Sequence, residues 1–250
     1  MRAIDDTRHT MTRRLLDTLF PPRCVGCRAR GHWICPSCLA GIERLPLPLC
    51  GVCRDPVDPV DPVDPVGTAH GCRRGAGAPL TISAVGTYAG PLRSAVHALK
   101  YSGRHGIGAT LAELLAPRVA PLAQEGDLLI PIPLHPSRLR ERGYNQSAIV
   151  ADELARLLPL EVRSRALRRD RRTADQVTLS AAERAANLRG AFSASLELVR
   201  DRRVWLLDDV YTTGATLGAA THALHEAGAG SVRAAVVAAT LVDHRQGRQG

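Results

Sequence analysis

The sequence predicts an α/β protein, a central parallel sheet flanked by helices, preceded by a small cysteine-rich module. Three features point there. Every cysteine lies at or before Cys72, so the first third of the chain differs in kind from the rest. After Gly77, apolar runs alternate with helical stretches, the order that builds a parallel sheet. Aromatic residues make up only 3% of the chain, which suits an aliphatic α/β core better than a surface lined with stacking platforms for bases.

In chain order, residues 12–22 pattern as a short amphipathic helix stopped by Pro21-Pro22. Cysteines then run from Cys24 to Cys72. Within that span Asp-Pro-Val recurs four times between Asp55 and Val66, and proline at every third position favours an extended strut with no sheet to join. Strands are expected at Thr81–Tyr88, Leu128–Ile132, Leu160–Val162, Arg203–Leu207 and Ser231–Ala238. Between them Gly90–Tyr101, Ile107–Val119, Gln146–Leu158 and Ala215–Ala227 place apolar residues three and four apart, the last closed by Gly228. The expected division is an N-terminal helix over 1–22, a metal-binding module over 23–78, an α/β domain over 79–243 and a tail over 244–250.

The formal charge is +9, nearly all of it arginine, since Lys100 is the only lysine. Such a balance favours anionic partners, but one phosphorylated small molecule explains a local excess as well as nucleic acid does. No segment approaches the ~20 apolar residues that span a bilayer. The N-terminus lacks the apolar stretch of a signal peptide, so no membrane insertion and a cytoplasmic location are expected.

Cys24-x2-Cys27-x7-Cys35-x2-Cys38 has the spacing of one tetrahedral zinc site made of two facing knuckles. Redox thiols or buried free cysteines are the competing interpretation. A module this small lacks the core to fold without a staple, which favours the metal.

The segment with most chemistry is Val204 to Thr216. An apolar strand runs into Asp208-Asp209, then Val210-Tyr211-Thr212-Thr213-Gly214-Ala215-Thr216, directly before a helix. A strand-to-helix turn aims backbone N–H groups at one point where the helix dipole is positive, so it binds phosphate without a lysine. Gly214 lets the backbone approach, and the hydroxyls of Thr212, Thr213 and Thr216 add donors. Adjacent carboxylates repel one another unless something donates to both, and vicinal ribose hydroxyls do. The alternative is a solvated Asp pair beside an ordinary turn.

This segment resembles the phosphoribosyl pyrophosphate (PRPP) signature of type I phosphoribosyltransferases, and nearly the whole chain resembles the ComF family. The resemblance is carried by the pairs Cys24/Cys27, Cys35/Cys38 and Cys50/Cys53, by Leu99-Lys100-Tyr101, by Pro131 to Leu134, by Arg138 to Gln146, and by Thr173 to Phe192. It implies a type I phosphoribosyltransferase fold with an N-terminal double zinc ribbon, PRPP held by Asp208, Asp209, Tyr211, Thr212, Thr213, Gly214, Ala215 and Thr216, and magnesium bridging substrate oxygens. It also implies a pyrophosphate loop after Leu134, where Arg138, Arg140 and Arg142 offer planar donors, Gly143 lets the backbone approach, and Asn145 and Gln146 open the next helix. A hood loop that excludes water is expected from the basic run Arg165 to Arg172 onward, with Arg172, Thr173, Gln176, Arg184 and Asn187 as its named contacts. Relatives of this kind carry a closing Cys-x-x-Cys for a second zinc. Here Ala69 stands three before Cys72, leaving His70 as the fourth ligand beside Cys50, Cys53 and Cys72, and leaving occupancy of that site open.

Two functions of different class are compatible with these residues. One is a PRPP-dependent glycosyl transfer, or a sensing of the same ligand, with no acceptor segment and no catalytic base identifiable. The other is a non-catalytic accessory protein of DNA uptake in competence, binding single-stranded DNA or DNA-processing proteins through its arginines. A PRPP-responsive transcriptional regulator is weaker, since no helix-turn-helix spacing is present.

Overall fold

The computed structural model describes residues 21–46, 48–51, 81–171, 188 and 190–240. Among them a six-stranded sheet has the order β1-β2-β8-β7-β3-β4. Its strands are β1 (Leu49–Cys50), β2 (Thr81–Thr87), β3 (Asp127–Pro131), β4 (Leu160–Val162), β7 (Arg203–Tyr211) and β8 (Ser231–Ala239). Only β1, at the edge, runs antiparallel. A separate antiparallel pair joins β5 (Leu167–Arg169) to β6 (Phe192–Ala194).

The expected parallel sheet covered on both faces is what forms, and the alternation of side chains shows why the strands read as continuous apolar runs. Val204 and Leu206 of β7 pack on one face while Trp205 and Leu207 pack on the other, all of them buried. The helices divide between those faces. α2 (Gly90–Tyr101), α3 (Ile107–Val119) and α5 (Gln146–Leu154) send Leu92, Val96, Leu99, Leu111, Leu115, Val150 and Leu154 into the Trp205 side. α7 (Ala215–Glu226) sends Leu217, Ala220 and Leu224 into the other. Short helices α1 (Pro36–Ala40), α4 (Pro136–Arg142) and α6 (Leu196–Val199) complete the described elements.

Because α5 follows β3 on one face and α7 follows neighbouring β7 on the other, a crevice opens at the carboxyl ends of these two strands. Open α/β sheets bind ligands at such a point. The opposite end of the sheet is locked instead: buried Asp127 accepts from Trp205 Nε1 at 3.1 Å and Arg203 Nε at 2.5 Å.

Some boundaries differ from expectation. β7 continues past Leu207 to Tyr211 because β8 lies alongside it, pairing Asp208 with Val236 and Tyr211 with Ala239. Tertiary pairing overrides the polarity of the Asp pair. α5 ends at Leu154, four residues early, since Pro159 disfavours helix in the residue before it and the chain must turn into β4. The expected open loop after Leu134 contains α4, capped by His135 Nδ1 accepting from Ser137 N at 3.2 Å. The start of the basic run after Arg163 is β5, rooted in the hairpin, rather than a free cover. Residues 12–20 of the expected first helix lie outside the described residues, and Pro21-Pro22 are not helical.

Cysteine-module residues share the main core. Ile34 and Ile42 pack with Val85 and Leu92, and the Trp33 ring lies where a Cβ on Gly106 would stand 2.6 Å from it.

Candidate functional site

β7 delivers Asp208 and Asp209 to the crevice. Successive strand residues face opposite ways, so the two carboxylates have different surroundings. Asp209 is 4% exposed, and its Oδ1 lies 2.9 Å from Lys100 Nζ, at the carboxyl end of α2. Its Oδ2 is buried without a hydrogen-bond partner. Such an atom costs free energy until a donor reaches it. Asp208, half-buried, accepts at Oδ1 from the Asp209 N–H at 2.8 Å and from Ser147 Oγ at 3.3 Å. Burial and the neighbouring Asp209 charge push the Asp208 carboxyl up to about 7, against the pull of Lys100, the Asp209 N–H and Ser147. Burial pulls Lys100 down, but Asp209, Asp208 and Tyr88 more than offset it, so its ammonium is held above the ordinary value.

Beyond the pair the chain turns through Thr212, Thr213 and Gly214 into α7. Gly214 is the N-cap at φ 81°, a left-handed conformation that a side chain resists, and a Cβ there would lie 2.7 Å from the Tyr211 hydroxyl. Thr213 Oγ1 accepts from the Ala215 N–H at 3.4 Å, whereas the capping glycine contributes no side chain to the next N–H groups. An anion can take that place. Thr240 braces the turn from behind, its N–H donating to Tyr211 O at 2.9 Å and its hydroxyl lying 3.4 Å from Thr212 O. Tyr211 itself is buried and donates to Gly51 O at 2.6 Å, so this residue ties the turn to the chain just after Cys50.

α4 and the residues after it form the opposite wall. Four residues apart on one helix, Arg138 and Arg142 share a face, and with Lys100, Tyr101, Gly103, Glu141 and Tyr144 they line a hollow of about 510 Å³. Arg140 does not line it. Gly143, at φ 82°, is the C-cap of α4 and spends its N–H on Leu139 O at 2.8 Å. Asn145 caps α5 through Ser147 N at 3.0 Å and donates to Ile132 O at 3.0 Å, while buried Gln146 accepts from Arg142. Gly143, Asn145 and Gln146 therefore position the arginines and Ser147. Arg169 of β5, named within the basic run but not expected as a site residue, belongs here too: burial lowers its pKa, nearby Arg138 adds to that, and Asp208 opposes it. Its long separation from Asp208 in sequence hid the proximity. Arg172, Thr173, Gln176, Arg184 and Asn187 lie outside the described residues.

In the cysteine module, the sulfurs of Cys24, Cys27, Cys35 and Cys38 all lie within 4.8 Å of one another. The Cys35 N–H donates to Cys24 Sγ at 3.3 Å, and Arg28, at φ 66°, turns the first knuckle. A Cβ on Gly26 would stand 2.7 Å from Cys38 Sγ, so glycine keeps the cradle open. The Ser37 hydroxyl, the Cys38 N–H and the Cys27 thiol lower Cys35 to about 6, while hydrogen bonding with Cys24 and Cys35 raises Cys38 to about 12. Four thiols packed this closely ionise together only around a cation, which is what a zinc ion held by four thiolates supplies. Cys50 is buried at the sheet edge; Cys53, His70 and Cys72 lie outside the described residues.

Comparison with known proteins agrees with both halves. Residues 144–249 match the phosphoribosyl transferase domain and residues 15–74 the double zinc ribbon domain. The DNA utilization protein YhgH of Escherichia coli K12 is 35% identical over 234 residues, covering 88% of this chain and 98% of the relative. Competence protein F of Haemophilus influenzae is 30% identical over 220 residues, covering 84% and 93%. The chain belongs to the ComF family. A shorter stretch, 51 residues at 57% identity, matches the adenine phosphoribosyltransferase of Nocardia farcinica, over 18% of this chain and 27% of that enzyme. This ComF-family chain thus joins a type I phosphoribosyltransferase fold to a zinc ribbon with one four-cysteine cluster among its described residues. No described helix is long and apolar enough to cross a membrane.

Proposed function

We propose that this chain binds PRPP at the carboxyl ends of β7 and β3. The observation that carries the proposal is the buried, unpartnered Oδ2 of Asp209, five residues before Gly214, a helix N-cap with no side chain. A ligand that presents a hydroxyl donor next to a phosphate satisfies both. The 5-phosphate takes the turn from Thr212 to Thr216, the ribose hydroxyls take Asp208 and Asp209, and the pyrophosphate faces Arg138 and Arg142, with Arg169 near. Tyr211 holds the turn in shape. The water-excluding cover expected after β5, with Arg172, Thr173, Gln176, Arg184 and Asn187, belongs to the same proposal.

Magnesium fits the donor set only with the ligand's help, because the described carboxylates at this place are two and Lys100 already occupies one of them. When bound it neutralises charge on the leaving pyrophosphate. In a transfer, the bond from the anomeric carbon to pyrophosphate breaks and a bond to an acceptor nitrogen forms, and this chain's residues orient the ribose and exclude water. A sensing role needs only the binding. The relatives named for DNA utilization and competence support placing this binding alongside DNA uptake.

Calorimetric titration with PRPP and magnesium, repeated with ribose 5-phosphate and pyrophosphate as competitors, tests the assignment. Saturable PRPP binding weakened by both competitors is expected. Heat indistinguishable from dilution means the fold persists without its ligand.

A further inference from the structure

The hollow next to the acidic pair has one wall that neither the turn before α7 nor α4 supplies. Lys100, in the last turn of α2, lines it together with Arg138, Arg142 and Glu141, so three cations meet there against one acid. Like charges gathered on one hollow repel until an anion enters it. The lysine is not a loose surface group. Its side chain is 22% exposed, and Nζ lies 2.9 Å from Asp209 Oδ1. Burial works against its charge, but Asp209, Asp208 and Tyr88 keep the ammonium protonated.

Its placement is fixed through both neighbours in the chain. Tyr144, two residues past α4, donates its hydroxyl to Leu99 O at 2.5 Å, and the Arg142 guanidinium lies 5.3 Å from the centre of the Tyr101 ring. The end of α2 is thereby tied to the segment that carries the arginines. An ammonium has three N–H donors, and Asp209 Oδ1 takes one of them. Two are left for an acceptor in the hollow that the side chain lines. One nitrogen thus stands where the acids for a ribose meet the cations for a pyrophosphate. A sugar phosphate with only a hydroxyl on C1 leaves those two donors unmet, whereas a diphosphate on C1 meets them.

Resting on the reading of this pocket as a PRPP site, we propose that Lys100 is a further ligand-binding residue, which donates to the pyrophosphate carried on C1 while it keeps Asp209, and so distinguishes PRPP from ribose 5-phosphate. The acids and the turn recognise what the two sugars share. Lys100 recognises the group in which they differ.

Because Lys100 is the only lysine, the full chain grown with lysine labelled at its side-chain nitrogen gives a single ammonium resonance. Titration of that resonance with PRPP, pyrophosphate and ribose 5-phosphate, with magnesium present and calorimetry on the same samples, tests the assignment. PRPP and pyrophosphate are expected to shift it, and ribose 5-phosphate to shift it far less. Lys100→Gln keeps a donor for Asp209 and removes the charge. Its PRPP affinity should fall about tenfold while its ribose 5-phosphate affinity changes by less than about twofold. PRPP that binds with measurable heat yet leaves the wild-type resonance in place overturns the role of Lys100 alone. So does a shift of equal size with ribose 5-phosphate. Heat with PRPP that never exceeds dilution defeats the reading of the pocket itself, and this proposal with it.

Discussion

Lys100 Nζ lies 2.9 Å from Asp209 Oδ1, joining the last turn of α2 to the carboxyl end of β7 across 109 residues of sequence. The chain's single lysine is thereby the counter-charge of its acidic pair. Both side chains are largely buried, so the pair depends on each partner staying in place.

Lys100→Met leaves Asp209 buried opposite an apolar chain. Stability at pH 8 should fall by about 2–3 kcal/mol, and by less at pH 5, where a carboxyl can take up a proton instead. Urea unfolding at the two pH values measures the difference. Equal losses at both would mean that Lys100 acts through packing.

Asp208 imposes a pH dependence of definite sign. Its carboxyl titrates at about 7 in the folded chain against 3.8 as the ordinary value, so the folded state holds a proton that the unfolded state has lost. Its contribution to stability is therefore full below about pH 4 and declines as pH rises toward 7. Asp208→Asn keeps the oxygen that accepts from the Asp209 N–H and should flatten that decline. Thermal melting across pH 4–8 reads it, and an unchanged slope in the variant assigns the dependence to another group.

Gly214→Ala places a side chain at φ 81° and 2.7 Å from the Tyr211 hydroxyl. The cost should be about 1–3 kcal/mol, and the Tyr211 bond to Gly51 should be disturbed with it. PRPP affinity should drop more than Tm does. A variant with wild-type affinity would show that the turn does not have to hold this shape to bind.

Cys24→Ser with Cys27→Ser removes two of four ligands. One zinc per chain should be lost, with exposure of Trp33, whose packing on Gly106 joins the module to the sheet domain. Metal analysis and tryptophan fluorescence check the two effects together. A wild type that is folded and free of zinc contradicts the assignment.

The strands and helices of the sheet domain were legible because each carried its own period. Gly90–Tyr101 and Ile107–Val119 were expected at the bounds observed, since burial on one face leaves a spacing that sequence displays. The cysteine cluster was legible for a similar reason, its ligands lying within 15 residues of one another. The elements that went unread are those made by distant partners. α4 is a short helix of mixed polarity, and β5 and β6 are three residues each, stabilised by pairing across 23 to 27 positions. At the candidate site, the acidic pair and the turn announced themselves in one run. Arg169, Ser147 and the Lys100 ion pair did not, because only the fold brings them to Asp208 and Asp209. Tyr211 shows the converse: its place in the run suggested contact with ligand, and its hydroxyl is spent on Gly51.

The central claim is that Asp208 and Asp209 hold a ribose. Calorimetric titration of PRPP with magnesium into the wild type and into the Asp208→Asn/Asp209→Asn double variant, at matched zinc content, tests it most directly. Binding in the wild type that weakens by tenfold or more in the variant is the predicted result. Equal affinity in the two proteins would make the acidic pair structural and place the sugar elsewhere.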